Sequence, residues 1–290
     1  MTQEPAVCAA PLANHIKPSF TLPPGATDCH AHVFGERAKY GYAENRLYSP
    51  PQGVLLKEYL AMLDAIGFTR GVMVHTGVHG TDNSVIVDAL RQTNGRLRAV
   101  ALLREDVTDE ELEALDQAGV RGFRANLVAK IGVQFEAARK LAARVAPLGW
   151  HAQFLMDVEN FPDLDRIADA YPCEMVIDHM GRPEVAKGVN APGFQALVRA
   201  LKNGRAWSKL SAPYRTSRGA IPYDDITPFA HALVAAAPER LVFGTDWPHV
   251  MMDGEMPNTG TLVERLASWV PDAATRQKIL VDNPAKLYGF

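Results

Sequence analysis

Apolar residues in this chain gather in short runs, separated by stretches in which they recur at helical spacing. The runs are Ala26–Val33, Gly71–Gly77, Leu97–Leu103, Val120–Asn126, Trp150–Met156, Cys173–His179, Ala206–Ser211 and Leu241–Asp246. Between them, Leu55–Ile66, Asn83–Thr93, Glu110–Ala118, Phe135–Ala146 and Ile226–Ala237 carry one apolar face each, as amphipathic helices do. Glu110–Ala118 is acidic at its start and stops at Gly119, the punctuation of a capped helix. Strands alternating with helices pair in parallel through right-handed crossovers. Eight such units predict an α/β fold of one closed (β/α)8 TIM-type barrel over 25–290, after an N-terminal arm over 1–24. No Gly-x-Gly-x-x-Gly turn follows the first run, which argues against a dinucleotide-binding sheet.

A barrel of this kind places its chemistry at the C-terminal ends of the strands, and the polar residues fall there. The first run closes on Asp28-Cys29-His30-Ala31-His32. With a period of two, Asp28, His30 and His32 share one face, and Cys29 packs behind the strand. Buried ionisable groups are costly unless paired, bound to a metal or used chemically. His75 and His79 follow the second run, Arg124 ends the fourth, Asp178-His179 ends the sixth, and Asp246 with His249 ends the eighth. Six of the nine histidines therefore lie on one rim, whereas His151 begins its strand and belongs to the opposite, stabilising end.

Charge narrows the partners. Lys+Arg 30 against Asp+Glu 33 gives a net −3, with no basic footprint for nucleic acid or a membrane surface. No apolar run approaches the roughly 20 residues a bilayer span needs. The arm has no cluster of positive charge, and Pro11 breaks its apolar stretch, so no secretory signal is expected. Cys8, Cys29 and Cys173 form no CxxC pair, which points to free thiols and a cytoplasmic location. Rim cations favour an anionic small molecule: Arg124, Lys130, Arg182 and Arg215 can each meet a carboxylate. The loop Phe34–Pro51, with Tyr40, Tyr42 and Tyr48, reads as a partial lid.

His30-Ala31-His32, Ile177-Asp178-His179 and Gly244-Thr245-Asp246-Trp247-Pro248-His249 resemble the amidohydrolase superfamily, most closely its small lactonase branch. His79-Gly80-Thr81-Asp82-Asn83, Asp178-His179-Met180-Gly181-Arg182-Pro183 and the closing Asn283-Pro284-Ala285-Lys286-Leu287-Tyr288 extend the resemblance over nearly the whole chain from Gly25. The resemblance implies a hydrolase that opens the ring ester of a carboxylated lactone such as 2-pyrone-4,6-dicarboxylate. Asp246 would be its proton-transfer group, and His30, His32 and His179 would polarise the carbonyl. Tyr48, Arg124, Lys130 and Arg215 match carboxylate-binding positions, and His75, Arg182 and His249 complete the candidate substrate shell. A decarboxylase or lactone isomerase on the same scaffold is the competing reading, and a non-catalytic binding protein a third.

The chain departs from the branch at Gly77, Leu155, Met251 and Lys130, where serine, tyrosine, asparagine and arginine are expected. The catalytic core is thus retained while part of the substrate shell is altered, and the resemblance leaves room for the same reaction on a different anionic lactone. Two-metal members of the superfamily carry a lysine or glutamate on strand four and a histidine ending strand five. This chain has Arg124 and Asn126, then Leu155-Met156-Asp157. The remaining set of His30, His32, His179 and Asp246 suits one divalent ion, zinc first, or catalysis with no metal. Both stay open here, as does assembly into a homo-oligomer.

Overall fold

The computed structural model describes residues 4–290. Eight parallel strands follow one another in sequence order: β1 Thr27–Ala31, β2 Arg70–Val74, β3 Leu97–Ala101, β4 Val120–Asn126, β5 His151–Leu155, β6 Met175–Ile177, β7 Ala206–Ser211 and β8 Leu241–Gly244. A bridge between Ala31 and Trp247 and the bond from Asp246 N to the His30 carbonyl (2.8 Å) join the last strand to the first. The (β/α)8 barrel read from the sequence is therefore the fold. Several strands are shorter than their apolar runs, because the site residues bend the chain away from its neighbours: His32, His179 and Asp246 all lie just beyond a strand end.

The helices are α1 Arg37–Tyr40, α2 Leu56–Ile66, α3 Ser84–Gln92, α4 Asp109–Ala118, α5 Phe135–Val145, α6 Leu164–Asp169, α7 Pro192–Lys202, α8 Thr227–Ala236, α9 Thr259–Trp269, α10 Ala273–Gln277 and α11 Asn283–Tyr288. The start of α4 shows why local sequence suffices in places. Thr108 Oγ1 accepts from Glu111 N, Glu111 Oε2 accepts from Thr108 N, and Gly119 at φ 110° ends the helix.

Two apolar layers hold the barrel. Outside the strands, side chains such as Met73, Phe123, Phe154 and Phe243 pack against helix faces. Inside, Cys29, Val72, Val74, Val100, Val176, Trp207 and Val242 fill the lower lumen, closed from below by Leu287 and Tyr288 of α11. His151 stands on the edge of the Tyr288 ring, at the stabilising end as expected.

The faces of β1 differ from the simple alternation. Asp28 pairs with Gly71 but Ala31 pairs with Met73, so β1 spends an extra residue between these two points. Below this bulge Asp28 points outward, where Oδ2 accepts from Tyr59 of α2 (3.2 Å) and from Thr245 Oγ1 (2.8 Å). Cys29 points into the lumen, and above the bulge His30 and His32 turn inward as well. The expectation that Asp28 shares the histidines' face, with Cys29 behind the strand, is thus corrected. Gly244 makes room for the displaced backbone, since a Cβ there would meet the His30 Cβ at 2.5 Å.

The chain before β1 crosses the C-terminal end of the barrel. Cys8 N donates to the Ser49 carbonyl and Ser49 N to that of Ala6, tying this stretch to the aromatic loop. Glu4 pairs with Arg37 and Arg46, and Met251 N donates to Cys8 Sγ. No helix among the described residues is long and apolar enough to cross a membrane.

Candidate active site

Four side chains converge where β1, β6 and β8 end. Oδ1 of Asp246 lies 3.2 Å from Nε2 of His32, 3.5 Å from Nε2 of His30 and 4.0 Å from Nε2 of His179. All four residues are at most 3% exposed. Asp246 sits at φ 58° and His179 at φ 53°, a conformation that non-glycine residues adopt only when their surroundings impose it. Here the Asp246 backbone is fixed by bonds from its N to His30 O and from His249 N to its O.

The second oxygen of Asp246 is fully engaged. Oδ2 accepts from Tyr214 (2.7 Å) and from Arg215 Nη2 and Nε (2.8 and 3.1 Å). Burial would raise this carboxyl, but Arg215 foremost holds it well below the usual carboxylate range. Burial has the opposite consequence for the rings: His30 is pushed well down and His179 down to about 3, so both are neutral at pH 7. His249, also brought to about 4 by burial, faces the Tyr214 hydroxyl through Nδ1 and Thr259 through Nε2. His249 thereby positions Tyr214 against Asp246.

Tautomer geometry adds a constraint. His32 Nδ1 faces the Val74 carbonyl at 2.8 Å, and a carbonyl can only accept, so this nitrogen carries the hydrogen. A neutral His32 therefore turns a bare Nε2 toward the carboxylate oxygen of Asp246. Two lone pairs at this separation, shielded from water, call for a proton or a cation between them. The orphaned buried atoms Nε2 of His30 and Oδ1 of Asp246 face the same point. His30, His32 and Asp246 offer ligand atoms within 4.8 Å of one another, with His179 beside them. The donor set fits a single divalent ion of the zinc type.

Beneath this cluster lies a polar layer in which Lys209 and Gln153, absent from the sequence reading, join Asp178 and Arg124. Lys209 of β7 is fully buried; its Nζ donates to Gln153 Oε1 (2.7 Å) and stands 3.4 Å from Asp178 Oδ1. Gln153 Nε2 donates to Asp178 Oδ2 (3.1 Å), and Arg124 Nη2 lies 3.5 Å from the same oxygen. Burial would raise Asp178, yet the cations Lys209 and Arg124 beside it hold it well below the usual range. A lysine inside an apolar strand, Ala206-Trp207-Ser208-Lys209-Leu210, was the available signal. Nothing local in the sequence marked Gln153 or Ser211, whose Oγ stands 2.8 Å from His179 Nδ1.

The candidate substrate residues are placed as follows. Arg124 is buried, with Nη1 on the His75 carbonyl. Tyr48 is buried beside Phe34. His75 uses both nitrogens on its own loop, one facing Asp82 O and the other accepting from Gly77 N. Arg182 pairs with Asp157, and Lys130 is exposed at φ 54° in the loop after β4.

Comparison with known proteins agrees with this geometry. An amidohydrolase family model matches residues 27–290. The chain is 39% identical over 288 residues to a 2-pyrone-4,6-dicarboxylate hydrolase of Comamonas testosteroni, covering 95% of this chain and 94% of that one. It is 40% identical over 290 residues to a 4-sulfomuconolactone hydrolase of Rhizobium radiobacter, covering 97% and 96%. The crystal structure of a Pseudomonas putida protein described as a 2-pyrone-4,6-dicarboxylic acid hydrolase superposes with a TM-score of 0.79 at 36% identity, over 92% of this chain and 98% of that one.

Proposed function

The chain belongs to the amidohydrolase family, and from that membership we propose a lactonase that opens the ring ester of a small anionic lactone, with Asp246 as its base. One observation carries the residue assignment: a buried carboxylate, held ionised by Arg215, presents a single free oxygen to three imidazoles. Relatives at this identity are named for lactones bearing carboxylate or sulfonate groups, which supports an anionic substrate.

The lactone carbonyl enters with its oxygen toward the histidine nitrogens and its carbon beside Oδ1 of Asp246. A water molecule attacks that carbon as Oδ1 takes its proton. Charge gathers on the carbonyl oxygen, where a neutral imidazole with hydrogen on Nε2 donates to it. The tetrahedral intermediate collapses by breaking the ring C–O bond, and Asp246 returns the proton to the departing oxygen. A divalent ion held by His30, His32, His179 and Asp246 would add Lewis-acid polarisation of the carbonyl.

Arg124, Arg215, Lys130 and Tyr48 form the proposed anion-binding shell, with His75, Arg182 and His249 as supporting groups around it. Two of the arginines already serve internal carboxylates, so a substrate anion joins a pre-charged network. The arm over residues 1–24 and the barrel over 25–290 are proposed as the functional division, the arm covering the mouth; the described part of the arm starts at residue 4. A hydrolysis screen of carboxylated and sulfonated lactones tests the reading, followed by loss of ring absorbance and release of acid, with and without chelator. Turnover of at least one such lactone, lost in Asp246→Asn, is expected; inertness toward all of them overturns the assignment.

A further inference from the structure

His30 has two groups competing for one ring nitrogen. Nδ1 lies 3.2 Å from Asp178 Oδ1 and 3.3 Å from Lys209 Nζ. The first contact would need a hydrogen on Nδ1; the second needs Nδ1 bare, because an ammonium can only donate. A neutral imidazole has one hydrogen, so the winner fixes what Nε2 shows to the site.

The angles favour lysine. Asp178 Oδ1 accepts no hydrogen bond despite its proximity, because it lies off the direction in which an Nδ1 hydrogen would point. Lys209 Nζ makes a hydrogen bond of acceptable geometry to the same nitrogen. Its other partner, Gln153 Oε1 at 2.7 Å, is itself fixed, since the amide's Nε2 donates to Asp178 Oδ2. The ammonium is thus aimed from below by an amide that cannot turn over without losing both bonds. The remaining neighbours of His30 do not compete for Nδ1. His32 and His179 meet it through ring contacts at 5.0 and 4.7 Å, and Arg124 is directed to Asp178 Oδ2. Asp246 Oδ1, 3.5 Å from Nε2, favours a hydrogen on that nitrogen as well, so Lys209 acts from the other side of the ring in the same direction.

We propose that Lys209 is a positioning residue that selects the Nε2–H tautomer of His30, making that ring a hydrogen-bond donor to the lactone carbonyl. The proposal rests on the lactonase reading for the identity of the acceptor, but the tautomer itself does not. Among the described residues Nε2 of His30 makes no hydrogen bond, Asp246 Oδ1 standing at 3.5 Å, and so it is left for substrate. Loading a metal on this ligand set would require the His30 hydrogen to move to Nδ1, since coordination needs a bare Nε2. Lys209 thereby sets the cost of that shift without removing any ligand from the set.

Imidazole 15N–1H correlation spectra of histidine-labelled, chelator-treated protein test this, with the His30 signals identified by their absence in His30→Asn. In the wild type the His30 hydrogen should reside on Nε2. In Lys209→Met it should move to Nδ1, with zinc binding tightened by about tenfold or more. For whichever lactone is turned over, kcat should fall about tenfold or more with KM little changed. A hydrogen on Nδ1 in the wild type overturns the proposal even if Lys209→Met does not fold. An Nε2–H that survives in folded Lys209→Met overturns it equally. Neither reading needs a substrate, so failure here is separate from failure of the lactonase assignment.

Discussion

Arg215 grips Oδ2 of Asp246 with two nitrogens, Nη2 at 2.8 Å and Nε at 3.1 Å, and so leaves only Oδ1 to face the imidazoles. An arginine read from sequence as a clamp for the substrate therefore also serves the base. Arg215→Met should raise KM and lower kcat together, where a pure ground-state clamp would change KM alone. The sign of the pH effect follows from the site. Burial raises the Asp246 carboxyl and Arg215 is the strongest group opposing it, so removing Arg215 moves the acid limb of kcat upward. Unaltered kcat and an unmoved acid limb would detach Arg215 from the base.

Asp246→Asn keeps the shape and removes the proton acceptor. The rate should drop by about 10²–10⁴, the usual worth of a placed general base. Substrate binding, read by competition or by shifted melting, should persist. If the residue served chiefly to hold a metal, added Zn²⁺ should restore part of the rate. Retention of full kcat in a chelated Asn variant would remove Asp246 from the mechanism.

Acid should destabilise the fold through its buried histidines. His151 is neutral in the folded protein, burial having pushed it down to about 3, whereas the unfolded chain titrates near the ordinary value of about 6.5. Above that value neither state binds the proton. Below it the unfolded state alone does, so stability falls as pH drops toward 3. At pH 5 the loss is on the order of 2 kcal/mol for a single such ring. His151→Phe should keep the contact with Tyr288 while flattening the pH dependence of the melting temperature between about pH 7 and pH 5. Parallel slopes for variant and wild type would contradict this account.

The floor of the barrel should be intolerant of added volume. A Cβ on Gly122 would stand 2.6 Å from His151 Nε2. Gly122→Ala should cost about 1–3 kcal/mol, measured by urea unfolding. In Gly122→Ala combined with His151→Ala the cost should largely disappear, because the obstructing ring is gone. A penalty that survives in the double variant would place the strain elsewhere.

Asp28 anchors the seam between β1 and β8 by accepting from Thr245 N, Thr245 Oγ1 and Tyr59. Tyr59→Phe removes one of these bonds and should cost about 1 kcal/mol. Asp28→Ala leaves several buried donors without acceptors and should cost roughly 3 kcal/mol or more in chemical unfolding. Equal effects of the two substitutions would mean that the tyrosine carries the seam alone.

The barrel was legible because its strands and helices each carry a local period, and Gly119 and Thr108 mark a helix with their own chemistry. The convergence of His30, His32, His179 and Asp246 was legible for a related reason: strand ends of such a barrel share one rim. What the sequence concealed depends on contacts between distant elements. Lys209 and Gln153 meet only when β5 and β7 face one another across the lumen. The commitment of His75 to its own loop, and of Arg182 to Asp157, is likewise invisible in a list of rim cations. The orientation of Cys29 was missed because an irregular strand breaks the rule that side chains alternate.

That irregularity in β1 works as a shift of frame partway along a word. The lower half of the strand is spelled for a lining of valines, the upper half for chemistry, and one extra residue lets both be read from the same side. Cys29 consequently lines the lumen among Val72, Val74 and Val100, one residue before His30 and fully buried. A side chain larger than that thiol would find no room among the valines and would bear on the strand that carries His30, as a shim shifts a bearing.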